Sequence, residues 1–283
     1  MRVGEQSLKS EQVQRRWQQI FLQNIRAALD SAKLRYRIEQ DRSRVFVYSA
    51  TTEKVIKSLG KVFGITSLSP CYVTKPDEKD VAKIAVTLAK KMKIGPRKSF
   101  AIRATRVGEH PFNSQEIAGK TGYAVQKATK APVDLTKPEA EIEIEVRPKK
   151  AFVFSERIEG PGGMPLGTAG KAVAYVNDKK SALAAWMAAR RGVQLAVYSK
   201  NKQSKWVKKL AEWHLGKKFR IHGKCKPHKA VEEEKVEAVI IGDKFDKKLE
   251  DKFTKQKILI LKPLEGLSSE EFAYFARKAG FRH

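Results

Sequence analysis

Cysteine is nearly absent. Cys71 and Cys225 are the only two in 283 residues, too few and too far apart for a disulfide framework or a zinc ribbon. No apolar run approaches the roughly 18 residues that a membrane-crossing helix needs, and the N-terminus lacks the apolar core of a signal peptide. The expectation is a cytoplasmic protein with no membrane partner. Acidic residues are scarce as well: 31 Asp and Glu stand against 58 Lys and Arg, a formal net charge of +27. Such an excess favours a polyanionic partner, nucleic acid first, over a small neutral metabolite as sole ligand. A heat-adapted surface would enrich both signs together, and this chain is far from balanced. Internal repeats and low-complexity tracts are missing too, while the 41% of hydrophobic residues suffices for the cores of two or three domains.

What is present falls into three blocks. After Ser10, a candidate N-cap, Val13, Trp17, Ile20, Phe21, Ile25, Ala28 and Leu29 recur at helical spacing. Alternating segments around 34–38 and 44–48, a helix near 52–59 and an extended piece over 65–74 complete a small α+β unit with a short first strand at Met1. The second block predicts a helix over 78–93, a strand over 98–107 punctuated by Arg103 and Arg106, and a helix opened by Asn113 with Glu116, a capping-box variant. Strands follow in AEIEIEVRP, where Glu141, Glu143 and Glu145 are expected on a solvated face, and over 150–154. In the third block, apolar strands at 173–176, 193–198, 236–241 and 258–261 alternate with helical patterns near 179–191, 203–214, 245–253 and 268–279. This is the signature of a parallel sheet wound with helices, and Ser268 with Glu271 forms another capping box.

These residues carry a resemblance. VGEQSLKS with RWQQIFLQNIRAAL, SFAIRATRVGEHPFNSQEI, GPGGMPLGTAGKA and LKPLEGLSSEEFAYFARKAG resemble, in order and over nearly the whole chain, landmarks of the tRNA 4-thiouridine synthetase (tRNA sulfurtransferase) family. The resemblance implies a mixed α+β and α/β protein. An N-terminal ferredoxin-like domain would span 1–75, a THUMP domain 76–157, a glycine-rich linker 158–170, and a doubly wound, parallel-sheet PP-loop domain of the adenine nucleotide alpha hydrolase-like class 171–283. It also implies tRNA as partner, held by the first two domains, with Lys98, Arg103, Arg106, Lys120 and Lys127 as candidates for its acceptor end. The lapse of periodicity between Gly160 and Gly170 reads as a boundary, so a fragment ending before residue 165 is expected to fold and bind RNA.

The same resemblance exposes a departure. Where the family's PP-loop reads Ser-Gly-Gly-x-Asp-Ser and admits ATP, this chain has Val176, Asn177, Asp178, Lys179, Lys180 and Ser181. Glycines at such a turn let the backbone approach phosphate; here both are replaced, the second by a carboxylate. The plainer reading has Asn177 or Asp178 capping an ordinary helix, with Lys179 and Lys180 as the residues that would hold phosphate in an altered site. The position matching the family's sulfur-bearing cysteine lies beyond Gly280, and neither Cys71 nor Cys225 aligns with it. A separate sulfur carrier or catalytic partner protein is implied. No catalytic residue and no metal ligand is assigned, and ATP with magnesium belongs only to the alternative of an active enzyme. In HGKCKPH, His222, Cys225 and His228 lie at metal-ligand spacing with His214 nearby, but surrounding lysines oppose a divalent cation and a basic loop is the expected reading. Trp206, Leu210 and Trp213 recur at the spacing of a core stripe, with Lys200, Lys202, Lys205, Lys208, Lys209, Lys217 and Lys218 around them. Such lysines would position RNA through its phosphates without reading its sequence.

Overall fold

The computed structural model describes residues 1–3, 10–41, 44–213, 219–223, 226–243 and 245–281. In chain order, the first elements are β1 (Arg2–Val3), α1 (Glu11–Ser31), β2 (Arg37–Asp41), β3 (Arg44–Tyr48), α2 (Thr52–Leu59) and β4 (Ile65–Leu68). Helix α1 forms because Phe21, Ile25, Ala28 and Leu29 make one buried stripe; Ser10 stands at its N-cap position without a side-chain hydrogen bond.

The extended piece expected over 65–74 is two strands in two sheets. Pro70 lies between them and cannot donate to a ladder, and β5 (Tyr72–Thr74) pairs with a later strand. Next come α3 (Glu78–Lys91), β6 (Phe100–Arg106), α4 (Ser114–Thr129), β7 (Ala140–Arg147) and β8 (Lys150–Phe154). Asn113 caps α4 in a full capping box with Glu116. Sheet order is β5-β8-β7-β6, with β6 parallel to β7, and α3 and α4 cover it through Val81, Ala85, Ile117 and Val125. Glu141 is exposed, but Glu145 is buried against Arg147 at 2.6 Å, contrary to the solvated face expected of it. Residues two apart on a strand share a face, so this face carries its own buried ion pair. Residues 69–158 form one compact unit.

The remaining elements are β9 (Ile158–Glu159), β10 (Lys171–Tyr175), α5 (Lys179–Arg190), β11 (Gln194–Tyr198), α6 (Lys205–Ala211), β12 (Ile221–His222), α7 (Pro227–Glu234), β13 (Ala238–Ile240), α8 (Lys247–Lys255), β14 (Leu259–Leu261) and α9 (Ser269–Lys278). Strand order β12-β11-β10-β13-β14 is parallel throughout, the doubly wound sheet that the alternation predicts. Its two faces carry separate apolar clusters, one with α5, α6 and α9, the other with α7 and α8. None of the helices among the described residues is long and apolar enough to cross a membrane.

Residues 1–68 and 159–283 form the second compact unit. The glycine-rich segment is strapped into it rather than loose: β9 extends the first sheet in the order β2-β3-β1-β4-β9, Gly162 N–H donates to Ile65 O at 2.8 Å, and Met164 N–H donates to Arg190 O at 2.9 Å. Two of its glycines serve close approach of backbone to backbone. A Cβ at Gly160 would lie 2.2 Å from Ile65 O, and one at Gly163, whose φ is +77°, would lie 2.2 Å from Arg190 O. Phe63 is packed into the α5 side of the later sheet, stacked on Trp213 and edge-on to Trp186.

Candidate nucleic-acid interface and nucleotide turn

The five RNA-binding candidates do not converge on one spot. Arg106 ends β6, and Lys98 precedes its start; Phe100 and Arg106 lie six strand steps apart, about 20 Å at the usual rise. Arg103 is exposed but engaged: its Nε donates to Glu141 at 2.9 Å and its Nη2 to Leu135 O at 2.8 Å. Arg106 donates to Gly108 O at 3.1 Å, which aims it at the turn after β6. Lys98 is half-buried and donates to Met92 O at 3.2 Å. Glu78 accepts from Lys120 at 2.8 and 3.0 Å, and donating to this carboxylate lifts the lysine above its ordinary pKa. Lys127 lines a groove at the C-terminal end of α4 with Pro96, Tyr123, Lys130, Ala131 and Pro132. Tyr123, which charge patterning alone did not single out, is 67% exposed. The signal available in the sequence was its place between Lys120 and Lys127 at helical spacing.

Val176 to Ser181 sit at the carboxyl end of β10, the central strand, where chain order reverses between β11 and β13. Open α/β sheets bind ligands at that position. Here the turn is filled by its own side chains. Asp178 is the N-cap of α5: its carboxylate accepts from Ser181 N–H at 2.8 Å and Ser181 Oγ–H at 2.7 Å. The N–H groups of Asn177 and Asp178 in turn donate to Ser181 Oγ, both at 3.0 Å. Donors that a glycine turn would offer to phosphate are spent, and a carboxylate stands at the positive end of the helix. Lys180 is paired with Asp243. Gly242 lies against the first turn of α5, where a Cβ would be 2.9 Å from Ser181 N.

Of the histidine and cysteine cluster, His214, Cys225 and Lys224 lie outside the described residues, as do Lys217 and Lys218. His222 is turned to carboxylates: its Nε2 is 2.7 Å from Glu234 and its Nδ1 3.2 Å from Glu233. The Glu234 side chain is 1% exposed and is also bonded by Lys171. Burial alone would raise its pKa; hydrogen bonds from Lys171 and His222, with their charges, outweigh burial and hold it below the ordinary carboxylate value. A depressed folded-state pKa gives stability that is present above the unfolded value, about 4.3, and lost as pH falls through the folded one. Thermal midpoints measured from about pH 6 down to about pH 3 should therefore fall in the parent, and fall less steeply in Glu234→Gln. Identical slopes would remove Glu234 from the acid response.

Trp213 is buried and its Nε1 donates to Ala279 O at 3.2 Å, whereas Trp206 is half-covered beneath Lys205 and Lys209. The first belongs to the core stripe that the spacing predicts. The second lies at its rim.

Residues 1–69 match the ThiI ferredoxin-like domain and residues 75–156 the THUMP domain. Curated relatives include a probable tRNA sulfurtransferase of Methanobrevibacter smithii, 37% identical over 199 residues, covering 69% of this chain and 51% of that one. A tRNA sulfurtransferase of Pyrobaculum aerophilum is 36% identical over 231 residues, 78% of this chain and 47% of the relative. The chain thus spans about half the length of these relatives. Among solved structures, PH1313 from Pyrococcus horikoshii superposes with a TM-score of 0.83 at 26% identity, covering 99% of this chain and 98% of that one. A 4-thiouridine synthetase solved as an RNA complex with bound ATP gives 0.77 at 23% identity, over 99% and 83% of the two chains, a likeness of fold.

Proposed function

We propose, for a chain that belongs to the tRNA sulfurtransferase family by its ThiI ferredoxin-like and THUMP domains, that it binds tRNA in the service of tRNA modification while its own PP-loop site no longer runs ATP chemistry. One observation supports the second half of this reading: at the turn where the family has glycine, the Asp178 carboxylate accepts from Ser181 N–H and Oγ–H. The first half is supported by the family, by the net charge of +27 and by exposed cations on the THUMP domain. Adenylation and sulfur delivery would then fall to a separate protein in the same cytoplasmic pathway. A second reading, an ATP-dependent tRNA sulfurtransferase with a divergent nucleotide site, is favoured by the retained switch point and by Ser181; it would require magnesium and ATP held by Lys179 or Lys180.

Phosphate contacts release counterions, so affinity should fall steeply with salt, with a slope of roughly 0.7–0.9 per phosphate neutralised. Arg103→Glu with Arg106→Glu should lower that slope by about two and weaken tRNA binding at least tenfold more than Lys247→Glu with Lys248→Glu, which reverses two exposed lysines of α8. Filter binding across a salt series measures both. Equal losses from the two pairs would reduce the interaction to bulk charge and defeat the assignment.

A further inference from the structure

The ferredoxin-like and THUMP segments are neighbours in sequence, yet the ferredoxin-like sheet is completed by a strand from beyond the THUMP segment. Strand β9 lies next to β4. Gly160 N–H donates to Thr66 O at 2.9 Å and Gly162 N–H to Ile65 O at 2.8 Å, so β9 runs antiparallel to β4 and Ile158 stands beside Leu68. Residues 69–158 therefore leave and return at one spot, through two neighbouring strand ends roughly 5 Å apart. Both connections are short: residues 69–71 and 155–157 have neither helix nor strand.

The body that they leave is tied together by its own residues. Phe63 stacks on Trp213 and stands edge-on to Trp186, and Asn24 Nδ2 donates to Leu166 O at 3.0 Å. Lys61 pairs with Glu212, and Lys278 with Glu159 of β9. Exposed ion pairs of this kind add little, so Phe63 and the strand pairing carry the union. Residues 69–158 for their part pack α3 and α4 on their own sheet around a core of their own.

We propose that the THUMP unit is an arm on a two-strand joint: the ferredoxin-like domain stays with the parallel sheet, and the arm alone moves. Two connections on adjacent strands restrain an insert differently from one. A single tether leaves rotation free in every direction, whereas a pair fixes the separation of the two ends and leaves bending about the line that joins them as the softest motion. Hinges absorb such motion in a few residues at the ends of elements, here 69–71 and 155–157. Whatever the arm holds can then be brought up or withdrawn without opening either core.

The test cuts the full chain at both joints, through one specific protease site placed after residue 70 and another after residue 156. Gel filtration without denaturant should give two species, the arm alone and the first segment bound to the last. Phe63→Ala should loosen the first segment from the last by roughly a hundredfold or more. If the first segment leaves with the arm, or the arm stays bound to the rest after both cuts, this division of the chain is wrong. Movement has its own readout in the uncut chain carrying Cys71→Ser and Cys225→Ser. Spin labels at Arg15→Cys and Lys248→Cys, two exposed positions of one body, should give one narrow distance. Labels at Lys127→Cys and Lys248→Cys, on either side of the joint, should give a broad distribution. Equal widths for the two pairs would leave the arm fixed and overturn the hinge.

Discussion

Phe63→Ala should destabilise the unit formed by residues 1–68 and 159–283 by about 3–5 kcal/mol, the usual cost of emptying a buried phenylalanine site, and leave residues 69–158 at their original stability. Phe63 is 2% exposed, with its ring 5.3 Å from Trp213 at 14° and 5.8 Å from Trp186 at 63°. Offset-stacked and edge-to-face pairs add to the burial of area, and both partners come from the parallel-sheet block that begins at residue 171. Trp213 is itself held by Ala279 O, so the void could not easily be refilled by collapse. Hydrogen exchange resolved by segment checks the prediction. Slow exchange lost in α5 and β10 but kept in α4 and β7 is the expected pattern; uniform loss would show that the chain unfolds as one body. The same packing changes the expectation for a cut before residue 165. A fragment of residues 1–164 keeps Phe63 and loses both tryptophans, so it should be poorly folded, whereas residues 69–158 carry a cluster of their own and should fold alone.

Much of this fold was legible because period and punctuation agreed. Asn113 with Glu116 and Ser268 with Glu271 are capping boxes in the structure as in the sequence, and the strands of the parallel sheet read as short apolar runs because both of their faces are covered. Where the reading slipped, long-range pairing was the cause. The segment 65–74 is uniformly extended, and nothing local says that β4 and β5 join different sheets. Gly160 to Gly170 looked like a linker because glycine signals either looseness or close approach, and only the positions of Ile65 and Arg190 decide between them. Helix α7 is not among the helical patterns the sequence predicts: Pro227 at its first position is a start signal, but eight residues are too few for periodicity to speak. The five RNA candidates come from the resemblance alone, and α4 and β6 carry them to opposite ends of one domain. Tyr123 carries no distinguishing signal in the sequence beyond its place between two lysines, because exposure, which makes an aromatic informative, is a tertiary property.

Titration of the intact protein with ATP and magnesium should give no tight binding, and Asn177→Gly with Asp178→Gly should bind ATP more tightly than the parent. The expectation has a steric and an electrostatic part. Replacing glycine at both positions keeps phosphate oxygens away from the backbone, and the carboxylate that takes their place satisfies Ser181 already. Two unit charges about 4 Å apart interact by roughly 4 kcal/mol at an effective dielectric near 20, close to a thousandfold in affinity. The natural compensation would come from Lys179 or Lys180. Lys180 is committed to Asp243, so borrowing it would strand an acid at the same crevice and return part of the repulsion. The double glycine variant loses a cap worth about 1 kcal/mol, but α5 buries Leu183, Trp186 and several alanines and should remain folded, which circular dichroism can verify before the titration is read. Micromolar binding by the parent, or tRNA-dependent release of pyrophosphate, would establish that Lys179 and its neighbours have rebuilt a phosphate site and that the active-enzyme reading is the correct one. Without either, the switch point of this sheet is a structural joint, and its helix is closed by the chain's own carboxylate.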